Sequence, residues 1–425
     1  MKLILCLIFT LSIFAQDSLT IVAVGEAEKD NDKIHFGSMG NAGSKSKQLN
    51  NILSIIKKDF LFYKHMFDLV ASKDDSTLYD VSFKYTAPKL KVIVNSIKDK
   101  KELLNKDFTV LFNNQRSFSH DVANEIYKSI KEVDAIFKTK ILFASDRTGS
   151  RADQKKELYI MDFDGNRKQR VTYENAMIIS PVISQDNKTV LFTSIESRWQ
   201  KSSTGKVQKV KNPNLYSYNL ISRKKTLIAD KKGINSGAVF SEDGKKIYLT
   251  QSNGSNSDIY EMDLKTKSTR RITSHFSDDV DPHVNKDGSL MTFLSGRSGK
   301  AMIYTLNPKG KERDVKRISY VGRFNSSPRF SPDGKQIVFS SWVDNRFDVY
   351  KIDSNGQNLS RMTKNFGSNE EPWFSPDGQF IVFTSQRVLS RKKAIQDVYI
   401  MNIEGEIVAK ITDNYGKCYT PRWSN

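Results

Sequence analysis

Ser331-Pro332-Asp333-Gly334 and Ser375-Pro376-Asp377-Gly378 are the same tetrapeptide 44 residues apart, each preceded by x-Pro-x-Phe. Three looser copies stand upstream: Ser184-Gln185-Asp186-Asn187, Ser241-Glu242-Asp243-Gly244 and Asn285-Lys286-Asp287-Gly288. The five aspartates are successively 57, 44, 46 and 44 residues apart. Ser, Asp and Gly are turn formers, the first two through side-chain hydrogen bonds to nearby backbone and Gly through positive φ. Self-similarity at this spacing marks a repeat architecture, in which each unit must stack on its neighbours to bury its apolar face. Every turn leads into an alternating apolar run: Val190-Leu191-Phe192, Ile247-Tyr248-Leu249, Met291-Thr292-Phe293, Ile337-Val338-Phe339 and Ile381-Val382-Phe383. Such runs, bounded by polar clusters, read as strands.

A second run follows in each unit, for example Ile259-Tyr260, Ile303-Tyr304, Val349-Tyr350 and Val398-Tyr399. A third, shorter run closes it, as in Ile272-Thr273, Met362-Thr363 and Ile411-Thr412. With the Pro-bearing strand labelled A and its successors B, C and D, each unit is a four-stranded propeller blade. The array opens in mid-unit, with B at Ile141 to Ser145, C at Leu158 to Asp162 and D at Arg170 to Thr172. It ends on an unpartnered A, Thr420-Pro421-Arg422-Trp423-Ser424. Five whole units lie between, so the last A completes the first B, C and D. The expected fold is an α/β N-terminal domain followed by an all-β six-bladed β-propeller closed by the C-terminal strand. Closure removes the edge strands of an open array.

The 425 residues include 67 Lys and Arg against 48 Asp and Glu, giving a net charge of +19. The basic residues are spread along the chain, and no RNP-type aromatic motif or Cys/His finger accompanies them. A solvated basic surface is therefore expected, with no nucleic acid as partner. The two cysteines, Cys6 and Cys418, exclude a disulfide framework. Met1-Lys2, the apolar run Leu3 to Phe14 and the small Ala15 have the order of a secretory signal. The expected divisions are a signal peptide at 1–15, the α/β domain at 16–135 and the propeller at 136–425. Within the α/β domain, Asp17 to Val24 reads as a strand and Gly25 to Gly43 as polar connection. Ser44 to Phe62 reads as a helix, from the spacing of Leu49, Ile52, Leu53, Ile56 and Phe60. Strands are expected at Tyr79 to Tyr85, Lys89 to Val94 and Phe108 to Phe112. A second helix is expected over Asp121 to Val133, capped by Ser119 or His120.

The junction carries Ser119-His120-Asp121-Val122-Ala123-Asn124-Glu125-Ile126-Tyr127 and then Phe137-Lys138-Thr139-Lys140-Ile141-Leu142-Phe143. Together with the signal, the two helices and the Ser-Pro-Asp-Gly propeller, it resembles the TolB family of periplasmic Tol–Pal components over nearly the whole chain. Residues 64–118 depart from the family pattern, being short and lacking its Gly-x-Asp before an apolar strand. The resemblance implies a monomeric, non-enzymatic periplasmic adaptor with no cofactor, supporting outer-membrane integrity and envelope constriction at cell division. It implies binding of the lipoprotein Pal, with Asn235, Ser236, Asp279, Val280 and Asp281 at the contact. It also implies binding of the TolA C-terminal domain through Leu19, Thr20, Ile21 and Val22, which can add to an open sheet edge as an extended strand.

Read from the residues alone, the D–A connections are polar loops that also carry Ser326, Ser327, Glu370 and Glu371. The B–C loops at Arg198 to Lys211 and Arg387 to Lys393 are basic. Acids near the axis with bases at the periphery suit a protein partner of mixed charge, and a set of solvated turns accounts for the pattern equally well. The rival class is a propeller enzyme acting on carbohydrate or peptide. It would need converging His residues, and the five present (His35, His65, His120, His275, His283) form no metal-ligand spacing. His283 alone falls in an A strand, where a hydrogen-bonded structural role is expected. Gly296-Arg297-Ser298-Gly299-Lys300 misses the nucleophile-elbow pattern at its last position. Asp162-Phe163-Asp164-Gly165-Asn166 reads as a C–D hairpin turn and not a calcium loop.

Overall fold

The computed structural model describes residues 31–424 apart from 41–42, 150–154, 202–204, 206, 253, 255 and 392. The expected signal peptide, the strand Asp17 to Val24 and the segment Leu19 to Val22 lie outside the described residues.

Ser-Pro-Asp-Gly makes the turns its chemistry demands. The Ser331 hydroxyl donates to Asp333 Oδ1 at 2.6 Å and accepts from the Gln336 N–H at 2.9 Å, while Gly334 sits at φ +71°. Ser375, Asp377 and Gly378 repeat the arrangement, with the Phe380 N–H donating to the Ser375 hydroxyl at 2.9 Å. Each turn joins strand A to strand B, and six four-stranded antiparallel sheets result. The inner strands are Cys418–Trp423, Met177–Ile183, Asn235–Phe240, Asp279–Val284, Asn325–Phe330 and Ser368–Phe374 for blades one to six. Phe143, Phe192, Phe293, Phe339 and Phe383 on the B strands are fully buried and fill the space between blades.

The ring closes as the unpartnered A strand requires. Cys418–Trp423 pairs antiparallel with Lys140–Ser145, Cys418 opposite Ser145 and Trp423 opposite Ile141. The Trp423 indole N–H donates to Thr139 Oγ1 at 2.7 Å, so the last strand is also pinned by a side chain. Two expected loops are instead hairpin extensions. Thr189–Lys201 pairs with Val207–Asn219 out to Lys201 opposite Val207, and Phe380–Ser390 pairs with Lys393–Asn402. Their basic residues alternate with others along paired backbone, where charge content hides strand character.

The N-terminal domain holds β1 (Asp32–Phe36), α1 (Ser46–Phe62), β2 (Phe67–Val70), β3 (Tyr79–Thr86), β4 (Lys89–Ser96), β5 (Lys101–Thr109) and α2 (Gln115–Lys131). The sheet order is β2-β1-β3-β4-β5, parallel among the first three and antiparallel after. Helix α1 buries Leu49, Ile52, Ile56 and Phe60, as its periodicity requires. Three expectations need correction. β1 lies in the segment read as connection, and β5 runs from Lys101 to Thr109 where Phe108 to Phe112 was expected. Helix α2 starts at Gln115, so Ser119 and His120 lie inside it and cap nothing. Ser119 donates to the Gln115 carbonyl at 2.8 Å, and His120 Nδ1 meets buried Asp59 at 2.7 Å. Polar residues with buried partners thus extend the helix beyond its apolar stretch.

One core joins the two domains. Phe60, Tyr63, Tyr127, Phe137 and Phe163 pack continuously with Phe380 and Trp423. Tyr63 OH donates to Asp377 Oδ2 at 2.5 Å, tying α1's end to a blade-six turn, and Arg116 of α2 pairs with Asp164 in the blade-one C–D turn. The closing strand therefore supports both domains. Deleting residues 420–425 is expected to lower the melting temperature by several degrees, since a loss of a few kcal/mol shifts a chain of this size by about that much. Differential scanning calorimetry checks this, and an unchanged melt refutes the closure.

Candidate functional site

Every inner strand carries one residue in the left-handed region: Ser180 (φ 50°), Gly237 (φ 63°), Asp281 (φ 55°), Ser327 (φ 52°), Glu371 (φ 59°) and Thr420 (φ 47°). In five of the six a proline follows, namely Pro181, Pro282, Pro328, Pro372 and Pro421. Proline offers the ladder no N–H, and a residue with φ > 0 breaks the pleat, so the pair makes a bulge. The A–B register shifts at this point in all six blades.

The residue after each proline is re-aimed by the bulge. In blades four, five, six and one these are His283, Arg329, Trp373 and Arg422. Trp373 stands 5.1 Å from the His283 ring, 5.4 Å from the Arg329 guanidinium and 4.9 Å from that of Arg422. It also packs against the apolar cluster shared by blades two and three. A side chain that meets five other blades can only stand on the axis. Trp373 plugs the channel.

The plug is charged, and its charges are matched. Arg329 donates to Asp281 Oδ1 at 2.7 Å, and Arg422 to Glu371 Oε2 at 3.0 Å. Both guanidinia are only 4% exposed, so their carboxylates carry neutralisation that water does not supply. Each also donates to the carbonyl of the proline before it, at 2.7 and 2.9 Å. His283 Nδ1 accepts from the Phe330 N–H at 3.1 Å, the structural role expected of it. Burial, then Arg329 and Arg422, hold its pKa well below the usual imidazole range. Among the described residues no group of three or more His, Cys, Asp or Glu is placed to hold a metal.

Residues 127–425 match the family model described as the TolB beta propeller domain. The chain belongs to this TolB propeller family. The Tol-Pal system protein TolB of Francisella tularensis subsp. mediasiatica (strain FSC147) is 29% identical over 228 residues, 53% of this chain and 49% of that protein. TolB of F. tularensis subsp. tularensis (strain SCHU S4 / Schu 4) matches at the same identity and coverage. The match thus spans about half the length of these curated relatives. The crystal structure of TolB from Acinetobacter baumannii superposes with a TM-score of 0.74 at 24% identity, over 93% of this chain and 96% of that one. A chain in the crystal structure of a nidogen/laminin complex superposes at 0.52 with 11% identity, over 68% of this chain and 98% of that one. Both likenesses speak to fold alone.

In this TolB-family propeller the D–A and B–C connections share one end of the ring, because the strands of each blade alternate in direction. The residues expected in D–A loops are the first residues of inner strands, and they divide in two. Asn235, Asp279, Asn325 and Asn369 are buried. Asn235 bonds the Lys231 and Pro213 carbonyls at 2.7 and 3.1 Å, and Asn325 the Val321 carbonyl at 3.0 Å. Asp279 is held by Arg297 at 2.7 Å, and Asn369 donates to Asp348 Oδ1 of the preceding blade at 3.0 Å. Asn325 also meets the Ser319 hydroxyl of the preceding blade, so the three asparagines fasten neighbouring blades, while Asp279 is held within its own. Ser236, Val280, Asp281, Ser326, Glu370 and Glu371 are half-buried at the channel wall, and Ser327 is buried. The axial acids are thus matched by Arg329 and Arg422, which alters the expected acid centre.

The sequence reading missed Arg329, Trp373, Arg422 and the exposed aromatic residues of this end. Tyr173, Phe276 and Tyr320 are 72%, 84% and 70% exposed, each within a D–A connection. The exposed Val207, Val388 and Leu389 belong to the hairpin tips. The x-Pro-x-Phe lead was the available signal for the axial residues, since it marks one re-aimed position per blade.

Glu370 differs from its neighbour in having no ion pair among the described residues. Burial, with a smaller push from Glu371, raises its pKa to about 7. A raised carboxylate stabilises the fold while protonated, and this contribution is lost as pH climbs from the unfolded value to the folded one. Glu370→Gln is therefore expected to melt higher than the parent above about pH 7, with the gain vanishing toward about pH 4. Asp281→Ala leaves Arg329 buried without its counter-charge and is expected to cost about 3 kcal/mol. Urea unfolding of both variants across pH checks the two signs.

Proposed function

We propose that the chain is a non-enzymatic adaptor of the Tol–Pal system in the periplasm, working as a monomer without a cofactor. On this reading the D–A/B–C end of the propeller binds the lipoprotein Pal, and Leu19 to Val22 bind the C-terminal domain of TolA. Linking the two serves outer-membrane integrity and envelope constriction at division. Membership of the TolB propeller family supports the reading, as does the similarity to the Francisella Tol-Pal system proteins. No helix among the described residues is long and apolar enough to cross a membrane.

The observation that carries the reading is the set of exposed aromatics at one end. Tyr173, Phe276 and Tyr320 are exposed in three of the D–A connections, Tyr173 with the Arg170 guanidinium over its ring at 4.2 Å and Tyr320 with that of Arg317 at 4.3 Å. Aromatic anchors surrounded by small polar residues are how protein interfaces concentrate their binding energy. The channel behind them is closed by Trp373, which makes this end a surface for docking.

Phe276→Ala and Tyr320→Ala are each expected to weaken capture of Pal about tenfold, the typical cost of truncating an interface anchor. Their melts should match the parent, because both side chains are exposed. Capture at parental strength by the double variant refutes this face. Removing residues 17–24 should abolish capture of the TolA domain while leaving capture of Pal unchanged.

A further inference from the structure

Beside the axial plug, blades one, two and six enclose a cavity of about 270 Å³ that opens to the D–A/B–C end. Its polar lining includes Glu370, Glu371, Gln396 and Thr420, and its apolar wall is Ile178 and Ile179. Glu371 is committed to Arg422 at 3.0 Å. Glu370 is not committed: its backbone carbonyl accepts from Thr384 at 3.1 Å, but its carboxylate makes no ion pair among the described residues. Lys156 lies on the same wall, with its ammonium 3.5 Å from the centre of the Tyr419 ring.

A second observation comes from Thr420. It is only 8% exposed, lines the cavity, and its hydroxyl has no hydrogen-bond partner. A buried hydroxyl without a partner is destabilising, and a ligand that supplies the missing bond recovers that loss. Gln396, at 9% exposure, lines the same space. An uncompensated carboxylate, an unsatisfied hydroxyl, an amide and an aliphatic wall together describe a receptor for a cationic head on a methylene stem.

We propose that this cavity binds the arginine or lysine side chain of the docking protein, its charged head on Glu370 and its stem along Ile178 and Ile179. The inference rests on the reading of this end as a docking face and adds the chemistry of one anchor. The cation supplies the counter-charge that Glu370 lacks. Protons compete with it, and the charged groups around Glu370 are Glu371, paired with Arg422 at 3.0 Å, and Lys156, whose ammonium lies over the Tyr419 ring.

The probe is Nα-acetyl-arginine amide, compared with the uncharged isostere Nα-acetyl-citrulline amide, titrated into the full chain by ligand-detected NMR. The arginine compound is expected to bind at least about tenfold tighter than the citrulline compound, the usual margin for a charge-assisted pair. Its affinity should fall about tenfold between one pH unit above and one below the Glu370 pKa of about 7, following the ionised fraction. Glu370→Gln should remove the preference, while Glu242→Gln at the opposite end of the channel should keep it. Equal binding of the two compounds by the parent overturns the proposal, as does a preference that survives Glu370→Gln. If the preference is absent while Phe276→Ala still weakens capture of Pal, the cavity assignment fails and the docking face stands. If Phe276→Ala and Tyr320→Ala capture Pal at parental strength, the docking face itself fails.

Discussion

The backbone ladder between Cys418–Trp423 and Lys140–Ser145 is the contact on which the molecule depends. It joins the chain's last described strand to the first strand of the ring, so all six blades share one closed circuit. Trp423 lies in the same core as Phe60, Tyr63 and Tyr127 of the N-terminal domain. Closing the ring therefore also completes the wall against which α1 and α2 pack. A propeller opened here would expose a sheet edge and an aromatic core together.

Closure brings six equivalent bulges onto one axis, and there the design changes from apolar to ionic. Arg329 and Arg422 are buried beside Trp373, and the bulge residues Asp281 and Glu371 of the preceding blades neutralise them. The same geometry turns Asn235, Asn325 and Asn369 into fasteners between blades. Burial of those polar groups leaves the exposed end of the ring to aromatic side chains and to a few uncommitted groups such as Glu370. Ion-paired and uncommitted groups are thus separated within a single strand, residue by residue.

Much of the propeller was legible because its signals are local. Turn chemistry at Ser331 and Ser375 and the alternation of Ile337-Val338-Phe339 do not need distant partners to be read. The N-terminal domain was less legible for the opposite reason. β1 and β2 are short strands held by parallel pairing to segments far along the chain. The first turns of α2 are polar in sequence, and become buried only because Asp59 and Asp164 arrive to meet His120 and Arg116. For the candidate site, the sequence singled out the first residues of the inner strands. It could not separate Asn369, buried on Asp348, from Glu370 one residue later, because neighbouring strand residues point to opposite sides.

By itself, then, the sequence determined the six-bladed ring, its closure by Thr420 to Ser424 and the α1 face, since each follows from periodicity and turn formers acting over a few residues. Only the tertiary structure decided which charges are spent on the axis and which face outward. Ion pairing between Arg329 and Asp281, or Arg422 and Glu371, joins residues about fifty positions apart whose meeting requires a closed ring. Desolvation at that meeting point, which no composition records, makes one carboxylate structural and leaves its neighbour free to bind.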